Sequence, residues 1–83
     1  MYSIIIKKKA RKFLDKLPQS EQRRITNALQ LLPHSGDIKQ VKGYDNFMRL
    51  RVGDYRIIYT VDNNILTIYV LDAGNRGDIY KRY

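Results

Sequence analysis

The chain has 83 residues, no cysteine and a single histidine, His34, and its 16 lysines and arginines against 8 acidic residues leave a net charge of +8. This composition excludes a disulfide framework, a thiolate metal site and any metal site built from several imidazoles. So large a positive excess on one short domain, residues 1–83, points to an anionic partner.

The first element is the isoleucine-rich stretch from Tyr2 to Lys7, which reads as a strand. Its apolar run, Ile4 to Ile6, is too short for a signal-peptide core or a membrane span, and no later run reaches such a length. The expectation is a soluble cytoplasmic protein that does not touch a membrane. Next, Ala10, Phe13, Leu14 and Leu17 recur at helical spacing, with Pro18 ending that helix. Ser20 is a candidate N-cap for a second helix, whose stripe is Ile25, Ala28, Leu29 and Leu32 and whose stop is Pro33. Two such helices joined by a short connection predict an antiparallel helical hairpin. "PHSGD" is a loop, and Ile38 to Gly43 has no clear period.

From Phe47 onward the chain alternates as strands do. Turns fall at Gly53-Asp54 and Asp62-Asn63-Asn64, and a third run extends from Ile65 to Ala73. Gly74-Asn75-Arg76-Gly77 breaks it, and "DIYKRY" fits a short strand or a helical turn. The order predicts an α+β fold: an N-terminal strand, a helical hairpin, then an antiparallel β-meander with the helices on one sheet face.

The segment "RLRVGDYR" carries the first functional signal. A two-residue turn at Gly53-Asp54 sets Arg51 opposite Arg56. Alternation then divides the hairpin. Met48, Leu50, Val52, Tyr55, Ile57, Tyr59 and Val61 form a floor for the helices. Phe47, Arg49, Arg51, Arg56, Ile58 and Thr60 face the other side, expected to stay open. Like charges opposed across strands are destabilising. Arginine presents a planar fork of donors that suits phosphate oxygens. The grouping reads as an anion site, against the plainer alternative of a solvated outer face.

The stretch "RLRVGDYRIIYTVDNNILTIYVLDAGNRGDIY", together with "FLDKLP" and "VKG" before it, resembles RelE-type toxins of the RelE/ParE toxin–antitoxin superfamily. The resemblance implies an antiparallel sheet with a helical hairpin on one face. It implies cleavage of messenger RNA in the ribosomal A site, with no metal or other cofactor. It also implies a cognate antitoxin bound in a toxin–antitoxin hetero-oligomer. By position, Arg56 matches a phosphate-stabilising arginine, Arg76 a second catalytic arginine and Tyr80 a catalytic C-terminal tyrosine. Arg49 stands where the best-known enzymes have a catalytic lysine. In the same picture Arg51, Lys81 and Arg82 bind phosphate, and Lys8, Lys9, Arg11 and Lys12 meet RNA backbone. Taken singly, each of those helix residues reads more readily as part of a solvated face. Phe47, Asn75 and Gly77 depart from the family pattern of charged residues. Two alternatives therefore stand beside the nuclease: a ParE-like poison of gyrase, and a basic nucleic-acid-binding module without chemistry.

RNA can be cut without metal by its own 2′-hydroxyl attacking the adjacent phosphate. The reaction needs a base, charge stabilisation on the phosphorane and an acid for the departing 5′-oxygen. Arg49 cannot be the base, since guanidinium stays protonated. Tyr80 is the best candidate, with its phenol made more acidic by neighbouring arginines. The acid is left without an assigned residue.

Overall fold

The hairpin forms in the expected register, with Val52 opposite Tyr55 and Arg51 opposite Arg56. Gly53 has φ +57 and Asp54 does not share its positive φ, the pattern of a type II′ turn. The computed structural model describes residues 2–83. In chain order these form β1 (Ser3–Ile6), α1 (Lys8–Leu14), α2 (Gln19–Gln30), β2 (Asp37–Gln40), β3 (Met48–Val52), β4 (Tyr55–Asp62), β5 (Thr67–Asn75) and α3 (Arg76–Arg82). The strands make one sheet in the order β1-β5-β4-β3-β2. β1 runs parallel to β5 and every other neighbouring pair is antiparallel, so the meander is extended into a mixed sheet.

α1 and α2 cover one face. Ala10, Leu14, Ile25, Leu29 and Leu32 pack on Leu50, Val52, Ile57, Tyr59, Ile68, Val70 and Ala73. Both stripes and the floor of the hairpin are those expected from the spacing. The cap of α2 differs: the N-cap is Pro18, not Ser20, which lies inside the first turn. The Pro18 carbonyl accepts from the amides of Glu21 and Gln22, and the Gln22 side chain donates to the Leu17 carbonyl. Proline fits here because its fixed φ suits a helix entrance and its missing N–H costs no helical bond.

The opposite face departs more from expectation. The Gly74–Gly77 stretch does not break the chain: β5 continues to Asn75 and α3 follows at once. α3 lies over that face, where Ile79, Ile58 and Val41 are buried together with Phe47, Leu71 and Tyr83 packed around them. The face expected to stay open thus holds a second, smaller core. Leu71 is the extra residue at a bulge where β4 and β5 shift register between Ile58 and Tyr59. The third run also starts later than expected, because Ile65 and Leu66 are exposed in the turn before β5. Leu50→Ala removes a side chain that is 1% exposed and is expected to cost about 2–5 kcal/mol in urea unfolding. Ile65→Ala at the exposed turn should stay within about 0.5 kcal/mol of the parent in the same measurement.

Candidate anion site at the hairpin and third helix

α3 is held over the hairpin at three points. At its start, the Arg76 amide donates to the Asp54 carbonyl (2.9 Å), which ties the helix to the β3–β4 turn. In its middle, Ile79 fills the smaller core. At its end, Arg82 grips Asp72 of β5, Nε to Oδ2 at 2.9 Å and Nη2 to Oδ1 at 3.3 Å. Asp72 is 1% exposed; it also accepts from the Ala73 amide and pairs with Lys9 of α1 at 3.4 Å. One buried carboxylate therefore joins α1, β5 and α3, and its charge is met by two cations and an amide.

This docking lays the Arg76–Tyr80 stripe of α3, residues i and i+4, beside the outer face of β3. Arg49 and Arg76 both sit over the Tyr80 ring, their guanidinium carbons 5.2 and 5.8 Å from its centroid. Cations over an aromatic face are attracted by its quadrupole, which eases the repulsion between them. Arg56 is 3% exposed, and its Nη1 donates to the carbonyls of Gly53 and Tyr55, both at 3.0 Å. Those bonds fix one edge of the guanidinium and leave its remaining donors for the cleft. The neighbouring guanidinium groups, Arg56 first and then Arg49 and Arg76, hold the Tyr80 phenol below its ordinary pKa by favouring the phenolate. Arg49, Arg51, Arg56 and Tyr80 line a cleft of about 50 Å³ with Asp37 and Lys39. That is room for a small anion group, not for an enclosed ligand.

The structure thus brings together Arg49, Arg56, Arg76 and Tyr80, with Arg51 exposed at the rim. It does not bring the other cations there. Arg82 and Lys9 are engaged by Asp72, and with Lys12 they line a separate shallow cleft. Lys8 and Arg11 are exposed on α1, and Lys81 is exposed on α3. Sequence reasoning missed Asp37 and Lys39, which face Arg51 and Arg49 across the β2–β3 ladder. Asp37 thus sets a carboxylate opposite Arg51. Only the assignment of β2, a segment without a clear period, could have shown it. Phe47, the departure from the family's lysine, is stacked on Tyr44 with ring centroids 5.2 Å apart and planes 5° from parallel.

Tyr80 is expected to ionise below the ordinary tyrosine range, and before Tyr59 and Tyr83, in an ultraviolet titration. Burial pushes Tyr59 up, and burial with the nearby Asp72 carboxylate pushes Tyr83 up. The early step should vanish in Tyr80→Phe and move to higher pH in Arg49→Ala or Arg76→Ala, because each loss of positive charge disfavours the phenolate. Asp72→Asn should cost about 1–3 kcal/mol in thermal or urea unfolding by weakening charge-assisted bonds to Arg82. It should also let the Tyr83 phenol fall back towards its usual value.

Residues 4–80 match the family model described as "ParE toxin of type II toxin-antitoxin system, parDE". Toxin RelE3 of Methanocaldococcus jannaschii is 46% identical over 44 residues, an alignment spanning 53% of this chain and 48% of that protein. The chain thus spans about half the length of this curated relative. The toxin in a RelB–RelE antitoxin–toxin complex from Methanococcus jannaschii superposes with a TM-score of 0.76 at 30% identity, covering 95% of this chain and 98% of the other. The archaeal RelE–RelB complex from Pyrococcus horikoshii OT3 gives 0.75 at 28% identity, covering 92% and 96%. The isolated E. coli RelE toxin shares the fold, at a TM-score of 0.75 and 18% identity over 99% and 94% of the two chains.

Proposed function

Because the chain belongs to the RelE/ParE family of type II toxin–antitoxin toxins, we propose that it is a ribosome-dependent endoribonuclease that cuts messenger RNA in the A site. The observation that carries this reading is the convergence of Arg49, Arg56 and Arg76 on one phenol of lowered pKa. In the proposed step, the Tyr80 phenolate takes the proton of a ribose 2′-hydroxyl. The oxygen attacks the adjacent phosphorus, and the bond to the 5′-oxygen breaks. A 2′,3′-cyclic phosphate and a 5′-hydroxyl result. The guanidinium groups meet the negative charge that builds on the phosphorane, where preorganised donors are most effective. Lys39, in the wall of the same cleft, supplies an ammonium able to protonate the leaving oxygen. All of these are the chain's own side chains, so the step uses no metal.

A cognate antitoxin is the second part of the proposal. The relatives from Pyrococcus horikoshii and Methanococcus jannaschii are seen with RelB partners. Here a net charge of +8 is combined with exposed Ile5, Leu31, Ile65 and Leu66. An acidic segment with apolar side chains that folds on binding would complement both.

The alternative of a gyrase poison draws on the description of the matching family model, which names ParE. The two readings part on the kind of arrest. Induction of the nuclease stops translation and creates new 5′ ends by primer extension; induction of the gyrase poison raises DNA-damage signalling and creates none. Tyr80 and Arg76 are exposed, so Tyr80→Phe and Arg76→Ala should leave the fold intact. Under the nuclease reading, Tyr80→Phe lowers the cleavage rate by about 10²–10⁴, the usual contribution of a general base, and relieves growth arrest. Full toxicity in both variants would remove the assigned site. Arg56→Ala is less decisive, since it also frees two backbone carbonyls from a buried partner.

A further inference from the structure

Beyond the arginine cleft, the same face continues as a patch of aromatic rings. Phe47, just before β3, precedes Arg49 by two residues, and Tyr83, the C-cap of α3, follows Tyr80 by three. Tyr83 meets Phe47 and Tyr44 edge-on, at 6.2 Å and 63° and at 5.5 Å and 65°. Tyr44 lies flat on Phe47 and is 41% exposed. With one ring face covered by Phe47 and an edge by Tyr83, the other face is turned to solvent.

The patch is built to be rigid. Phe47 and Tyr83 pack on the buried Val41, Ile58 and Ile79. The turn that carries Tyr44 is closed by backbone bonds from the Val41 amide to the Phe47 carbonyl, from Tyr44 to Val41 and from Phe47 to Tyr44. A ring fixed in advance loses little freedom when something stacks on it. Nucleic-acid-binding surfaces often pair a cationic track for the backbone with aromatic faces for the bases, and a base gains about tenfold or more in affinity from one such face. Here the exposed Tyr44 ring is linked to the cations through Phe47, which stacks on it and precedes Arg49 by two residues, about 7 Å of extended chain.

We propose that Tyr44, backed by Phe47 and Tyr83, stacks the nucleobase next to the phosphate held by Arg49, Arg56 and Arg76. The site takes a single-stranded RNA base and tolerates any of the four, because each offers a π-face. This deepens the nuclease reading and rests on it.

The test is single-turnover cleavage on ribosomes stalled with an empty A site. The message carries either natural bases or an abasic ribose on one side of the cut. Tyr44→Ala should raise the toxin concentration for half-maximal cleavage about tenfold on the natural message, with Tyr44→Phe close to the parent. On one of the two abasic messages, the parent should be weakened equally and Tyr44→Ala should add nothing. Unchanged cleavage by Tyr44→Ala, or a loss that persists on both abasic messages, overturns the platform and leaves the nuclease standing. A parent chain that cuts no message takes down both. A second measurement uses the absence of native tryptophan. The Tyr44→Trp side chain is then a sole reporter, and its emission should be quenched by a short single-stranded RNA. Emission that answers to an acidic peptide and not to RNA assigns the surface to a protein and overturns the proposal.

Discussion

The buried carboxylate of Asp72 is the interaction on which the outer face depends. A lone ionised group at 1% exposure would be strongly disfavoured. It is tolerable because Arg82 approaches in a fork and Lys9 reaches it from α1. The cost of burying the charge is offset only when α1, β5 and α3 are all in place. That requirement fixes the far end of α3, while the Arg76 amide on the Asp54 carbonyl fixes the near end. Held at both ends, the helix has little choice but to present Tyr80 to the hairpin.

The arginines pose the opposite problem, since three of them converge with one acidic side chain in the cleft wall. Their mutual repulsion is relieved in different ways. Arg56 gives hydrogens to two backbone carbonyls, and Arg49 and Arg76 each sit over the Tyr80 ring. None of these contacts supplies a full negative charge. The cluster therefore retains an unmet demand for an anion, and the same field that attracts a phosphate makes the phenol more acidic.

Much of this was legible in the residues. The stripes of α1 and α2 and the split of the β3–β4 hairpin follow from period alone, because each apolar set has only one face to bury. The type II′ turn at Gly53 followed from glycine's access to positive φ, and it fixed which arginines share a side. Other features had no local signature. That Ile58 and Val41 belong to a second core becomes visible only once α3 is known to fold back over them. Arg82 reads as a free cation until Asp72, ten positions earlier, is seen to lie beneath it. The ladder contacts of Asp37 and Lys39 depend on β2, a four-residue edge strand too short to show a period.

The parallel pairing of β1 with β5 bears on the order of assembly. Ser3 finds its partner at Thr67, so the first strand made cannot be seated until nearly all of the intervening chain exists. Contacts that span so much sequence close late and slow folding, because the loop between them must be ordered first. During synthesis the helical hairpin emerges with its apolar stripes uncovered, a natural stage for chaperone capture. Throughout that interval Arg49, Arg56 and Arg76 are held apart along the chain, and the cluster comes into being only when the sheet closes and α3 docks.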